Sequence, residues 1–363
     1  MPLPDSPLEF MNWTAEQIQP YVDEVLSRPL TAETMDAWLL DSQKLAGYFQ
    51  AWGARLDNAA AINTADQAIQ QRMEAFRRDI FPLSQRVWQG IDRRILENEA
   101  LLPPGLEIPL RAMKASSDLF GEAATPLLSE QARLCDECGA IFGAQTVQWR
   151  GEEVTLRQLD LNLRDQDRSV REEAWHLLLA RRAEDRAALS ALWVQLLDTR
   201  RKLAAAAGFS NYIDYRFREL GRFDYTPADS LRFHDAVEAV VVPARSRLLE
   251  RQRQQLGVST LRPWDLDVDP SGKPPLQPFR DADDLVEKSS RVFYRIDPEF
   301  GAFFDQMRAH DLLNLAGGKN RNAAGGFTRV IYGTGTFLLI NLTGTHWDMS
   351  GMMHEMGHAF SHY

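Results

Sequence analysis

Apolar residues recur at three- and four-residue spacing along most of this 363-residue chain, the pattern of amphipathic helices. It runs from Thr31 to about Trp52, from Ala65 to Glu97 and from Asp167 to about Ala206. Helix-start signals agree with it. Thr14-x-x-Gln17 and Thr64-x-x-Gln67 read as capping boxes, and Thr226-Pro227 places an N-cap before a proline at the first helical position. Prolines at Pro103-Pro104 and from Pro263 to Pro278 punctuate the helices, and the second cluster reads as a long surface loop.

One stretch breaks the pattern. From Gly325 to Gly344 glycine, threonine, β-branched and aromatic residues dominate, which predicts two short strands, Phe327 to Tyr332 and Thr336 to Leu342, around the turn Gly333-Thr334-Gly335. Helical spacing resumes after Asp348, read as an N-cap, and continues to the last residue. The predicted fold is mostly α, with a small β-sheet preceding the final helix. No fixed-period repeat or low-complexity tract is present.

Composition narrows the possible partners. The hydrophobic fraction of 44% and charged fraction of 25% are those of a globular protein, and the net charge of -10 argues against nucleic acid or an anionic membrane surface. Basic clusters such as Arg200-Arg201-Lys202 alternate with acids at helical spacing and read as solvated faces. No apolar run of about eighteen residues exists, so no membrane span is expected. The N-terminus shows no secretory signal and two cysteines make no disulfide framework, so the cytoplasm is the expected compartment.

The chemistry concentrates in the final helix, at His354-Glu355-Met356-Gly357-His358. Residues four apart share a helix face, so His354 and His358 can offer two imidazole nitrogens to one zinc ion. Glu355 beside them can act as general base toward water at the metal, whose pKa zinc lowers toward about 7. Gly357 is expected to admit a closely packed neighbour. A catalytic zinc needs a third protein ligand. His362 lies eight residues from His354, about 12 Å along the axis, too far for one ion, and reads as a packing or outer-shell residue. The metzincin spacing wants glycine where Ser361 stands. A carboxylate from a later helix is the remaining arrangement.

Other candidates read blandly. Cys135-Asp-Glu-Cys138 has no second cysteine pair and reads as two reduced helix thiols. The Asp265-Asp267-Asp269-Ser271-Gly272 run lacks the acidic closing position of a calcium loop and reads as turn chemistry. Lys319 after Gly317-Gly318 misses phosphate-loop spacing. His176, His234 and His310 read as surface or satisfied histidines, whereas His346 and Trp347 either border the cleft or pack at a strand end.

Gly318-Lys319, Gly325-Gly326-Phe327, the run Phe337 to Asn341, Gly344-Thr345, Asp348 and His354 to Phe360 together resemble the M3 family of zinc oligopeptidases, most nearly the bacterial oligoendopeptidase F group. Gly151 to Leu156, Arg168 to Ala174, Asn211 to Leu220 and Leu261 to Asp265 fit as well, so the resemblance spans roughly residues 20 to 363. It implies a helical zincin-type scaffold in three parts: an N-terminal helical region (1–110), a helical oligopeptidase N-terminal domain (111–200) and a catalytic domain (201–363) incomplete at its C-terminus. It also implies one zinc ion per complete site, with His354 and His358 as ligands and Glu355 as general base. Oligopeptides are the implied substrates, and the strand before the motif would border the cleft, where a peptide could add along its edge. The family's third ligand, a glutamate, and its tyrosine and histidine oxyanion stabilisers lie further on. The expectation is therefore an N-terminal portion of a zinc endopeptidase, weak in zinc binding and hydrolysis on its own, whose C-terminal half or a sister chain supplies the rest. The alternative is a non-catalytic helical remnant or peptide-binding scaffold that retains the motif.

Overall fold

Thr14 caps the helix Ala15–Ser27 in the box read from the sequence, its hydroxyl accepting from Gln17 N–H while the Gln17 side chain accepts from Thr14 N–H. The computed structural model describes residues 3–119, 124–322 and 325–362. Its longest helix, Met35–Ile62, begins later than the periodicity predicts and also ends later, because Ala59-Ala60-Ala61 extend a favourable helical run to its C-cap Asn63.

The second predicted box is different. Asp66, not Thr64, caps the helix Gln67–Ala75, its Oδ1 accepting from Ala68 and Ile69 N–H. Thr64 instead donates its N–H and its hydroxyl to Asn320 C=O, joining the N-terminal helices to a loop between two strands of the second sheet. The helical run then continues to Glu97 through a π-helical turn, Phe76–Ile80, placed just ahead of Pro82. A second such turn, Val237–Val241, precedes Pro243. Proline lacks an N–H and clashes with the preceding turn, and a widened turn lets the helix pass it.

The Asp167–Ala206 pattern is two helices, Arg168–Glu184 and Arg186–Ala206, divided at Asp185, whose carboxylate receives Arg181 at 2.6 Å and Gln145 at 2.8 Å. From 227 to 255 runs a helical rod in which no residue is buried, with Leu231, Phe233 and Val240 more than 60% exposed. Its start keeps the predicted cap, Thr226 before Pro227.

The Pro263–Pro278 segment is not all surface loop. Trp264, Asp265 and Val268 are buried, and Asp265 receives Arg168, Arg171 and the Arg262 N–H. Burial alone would raise the Asp265 pKa, and these hydrogen bonds outweigh it and hold the carboxyl below its ordinary value. Turn chemistry holds further on, where Asp269 accepts from Ser271 N–H and Gly272 takes a positive φ.

Strands β1 (Thr146–Trp149) and β2 (Glu152–Thr155) form a hairpin across Arg150-Gly151, both at positive φ as a two-residue turn of this kind requires. The second sheet contains β3 (Leu313–Ala316), β4 (Gly326–Ile331) and β5 (Gly335–Asn341) in the order β3-β5-β4. β4 pairs antiparallel and β3 parallel to β5. Every residue of β5 from Thr336 to Asn341 is buried. This sheet, the helices Ala282–Ile296 and Pro298–Ala309 and the buried side of the last helix share one apolar core. The N-terminal helices build a second core, and Tyr332 packs against both. Among the described residues no helix is long and apolar enough to cross a membrane.

Candidate metal centre

The last helix is His346–Phe360, and Thr345 caps it in a box with Asp348 at the third position, so Asp348 is not itself the cap. Asp348 is 1% exposed and gathers the connector from β5: its Oδ2 accepts from the N–H groups of Thr343 (2.7 Å), Gly344 (2.6 Å) and Thr345 (3.3 Å), and its Oδ1 from the Thr343 hydroxyl (2.9 Å). The helix entry is thus fixed to the buried central strand.

Met352, Met356 and Ala359 lie fully buried on one side. At 100° per residue, His354 and His358 fall on the opposite side, and both are exposed. Their Nε2 atoms converge to 3.2 Å with the rings nearly perpendicular at 89°. Two nitrogens each about 2.0–2.1 Å from one tetrahedral zinc ion stand about 3.3 Å apart, so this donor pair fits zinc. Among the described residues no third histidine, cysteine or carboxylate joins them in a metal-binding group. His362 is exposed beyond the helix end, so it does not pack as expected, and Tyr363 lies outside the described residues.

Glu355 is half-buried on the flank facing β4. A Cβ placed on Gly326 would come within 3.5 Å of Glu355 Cγ and 3.0 Å of Leu339 C=O, so this glycine keeps the strand start against the glutamate. Gly357, by contrast, has open space where a Cβ would be, and no neighbour uses the close approach expected there.

The strand that directly precedes the motif helix, β5, is paired on both sides and has no edge to offer a peptide. The sheet's edges belong to β3 and β4, and β4 is the one that packs beside the motif helix. There the Gln50 side chain donates to Val330 C=O and accepts from Tyr332 N–H, closing one end of that edge. By the two-residue period, Thr328 carries the next outward-facing backbone groups, toward Gly326 and Glu355.

Arg157 and Asn341 were not singled out from the sequence. Arg157 Nε donates to Asn341 C=O at 3.0 Å, and its guanidinium stands 3.8 Å from Asp348. The Asn341 amide donates to Asn322 C=O and accepts from Arg321 Nε. A polar residue closing the apolar run Phe337 to Ile340 was the available signal for Asn341. Nothing local marks Arg157, whose contact spans 184 residues.

The remaining candidates are placed plainly. Cys135 and Cys138 are free thiols on the helix Ala124–Gly143. His176 is exposed against Trp175 and Trp264, His234 is exposed, and His310 reaches Gln306 C=O at a helix end. His346 is half-buried with an unpartnered Nδ1, beside Trp347, which is 54% exposed.

The site is thus a helical scaffold in which a three-stranded sheet feeds an HExxH helix. Residues 161–275 match the model of peptidase family M3, a segment that ends before the motif. The resemblance read from the sequence therefore holds in that segment and in the fold. A crystal structure of an oligoendopeptidase F matches with TM-score 0.88 and 24% identity, covering 95% of this chain and 62% of its own. Another, from Bacillus anthracis str. Ames, gives 0.87 and 23% over 95% and 64%. PZ peptidase A with an inhibitor gives 0.87 and 24% over 99% and 64%. The chain thus spans somewhat under two thirds of the length of these structures. No curated protein sequence matches it.

Proposed function

We propose that this chain carries the zinc-binding helix and general base of a zinc-dependent endopeptidase that hydrolyses short oligopeptides. The observation that carries the reading is the 3.2 Å convergence of the His354 and His358 Nε2 atoms beside Glu355 on the face opposite the core. His354 and His358 would hold the ion, which when bound supplies Lewis-acid polarisation of the scissile carbonyl. Glu355 takes a proton from the attacking water and returns it to the leaving amine. The outward edge of β4 at Thr328 offers backbone groups to an extended peptide, and Gly326 leaves room for it to approach Glu355. A third protein donor, a carboxylate in this reading, comes from outside the described residues.

Zinc content and cleavage of a fluorogenic peptide, measured on the same preparation, test the proposal. His354→Ala is expected to lower zinc content. Glu355→Gln is expected to retain zinc while abolishing chelator-sensitive cleavage in any preparation that shows it. Zinc retained in the double variant H354A/H358A would sink the reading. The alternative, a scaffold that binds without hydrolysis, draws on the same exposed two-ligand arrangement. Absence of cleavage even when C-terminal residues of an oligoendopeptidase F are added in trans would favour it.

A further inference from the structure

Among the described residues two arginines are almost wholly buried, and they are treated differently. Arg171, 2% exposed, has Asp265 at 2.9 Å. Arg321, 9% exposed, gives Nε to Asn341 Oδ1 at 2.8 Å and Nη2 to Asn314 Oδ1 at 2.6 Å, both neutral acceptors. Among the described residues no carboxylate stands within ion-pair distance of Arg321, and its Nη1 has no acceptor. Loss of water around it pulls its pKa below the ordinary arginine value. A buried charge left this way is costly unless something completes it.

Arg321 lines a cavity of about 630 Å³, in the size range of small-molecule sites, together with Arg157 and Arg182. The one carboxylate on its wall, Asp160, pairs with Arg164 at 3.4 Å. Arg182 is exposed and forms no ion pair among the described residues. Gly317 and Gly318 also line it, contributing no side chain. The cavity adjoins a groove of about 610 Å³ that shares Phe142, Gln145 and Arg182 with it and continues over Leu179, Trp193 and Val194, all exposed.

We propose that this cavity binds a carboxylate, and that the carboxylate is the free C-terminus of a peptide whose apolar side chains lie along the adjoining groove. The unused Nη1 of Arg321 can donate to one carboxylate oxygen, and the exposed Arg182 guanidinium on the same cavity supplies a donor for the other. The apolar groove beside it favours an organic acid over a bare inorganic anion. The choice of a peptide rests on the proposed hydrolytic role. Arg157 reaches from the cavity to Gly325, and the next residue, Gly326, abuts Glu355, so cavity and candidate cleavage face share one wall. The choice of a carboxylate does not depend on that role.

Isothermal titration of the full chain, with chelator present so that hydrolysis plays no part, separates the two. The probes are N-acetyl-Leu-Phe with a free carboxylate, the same peptide as its C-terminal amide, and inorganic phosphate. The free acid is expected to bind, and the amide to bind at least about tenfold more weakly, as loss of a charge-assisted contact implies. Arg182→Gln, at an exposed position with no ion pair among the described residues, is expected to weaken the acid several-fold, and Arg321→Gln to abolish its binding. Equal binding of acid and amide, binding of phosphate without the acid, no binding of any probe, or unchanged affinity in R182Q overturns the proposal. If R321Q fails to fold, R182Q and the acid-to-amide ratio decide. A failed zinc assay with a preserved acid-to-amide ratio would remove the hydrolytic role alone.

Discussion

Asp348 accepts the Gly344 N–H at 2.6 Å, so the connector from the central strand closes onto the first turn of the helix that carries the histidines. Asp348→Asn exchanges one acceptor oxygen for a donor among three N–H groups and a hydroxyl. The expected loss is about 3 kcal/mol of stability, near the worth of a hydrogen bond to a buried charge. Zinc affinity should fall with it, because the helix entry loosens. Denaturant unfolding and zinc titration of D348N check both.

Gly326→Ala places a methyl group 3.0 Å from Leu339 C=O and 3.2 Å from Ile340 Cγ1, on a central strand that cannot yield. Overpacking of this kind costs about 1–3 kcal/mol. The third neighbour is Glu355, so wherever cleavage is measurable it should fall more than zinc content does. Parallel assays of metal and turnover on G326A read the difference.

Arg171→Ala leaves Asp265 buried with Arg168 as its only guanidinium partner, and also orphans Trp264, Asp165 and Gln166 carbonyls. Breaking a buried pair from one side costs about 3–5 kcal/mol. Urea unfolding of R171A against wild type measures it.

Asp284 is held to a pKa of about 2, first by the Lys288 ammonium at 2.8 Å and then by the Arg280 N–H at 2.9 Å. An unfolded aspartate titrates near 3.9, so between about 3.9 and 2 the unfolded chain binds more protons than the folded one. Its contribution is complete above the unfolded value and is lost as pH falls through the folded one. The stability gap between wild type and Asp284→Asn should therefore narrow from pH 5 to pH 2. A gap that stays constant across those pH values would show that Asp284 is not the titrating group.

Much of this was legible in the chain because it is local. Spacing of four sets the histidine pair, and the β4–β5 turn follows from its glycines, with the strand ends shifted by a residue. β3 escaped because it is four residues long and pairs with a strand twenty-five positions later. Thr64 and Asp348 were misassigned for one reason: each matches a capping pattern, yet a neighbour, Asp66 or Thr345, occupies the cap. Gly357 carried no packing signal that the fold uses, whereas Gly326, read only as part of a glycine-rich strand, holds the contact with Glu355. Arg157 and Arg321 act through partners brought close only by tertiary folding.

The rod from 227 to 255 buries no side chain, so its unwinding disturbs none of the apolar cores. Its opening free energy is then that of its own hydrogen bonds, its surface ion pairs and the Gln252 bonds to Asp265 and Leu266 C=O, far below global unfolding. Arg245, Arg247 and Arg251 stand along it. Trypsin acting on the folded chain would nick that rod first, dividing the molecule between the segment that holds Arg157 and the one that holds the histidines, while the halves stay joined by contacts such as Arg157 to Asn341 and Thr64 to Asn320.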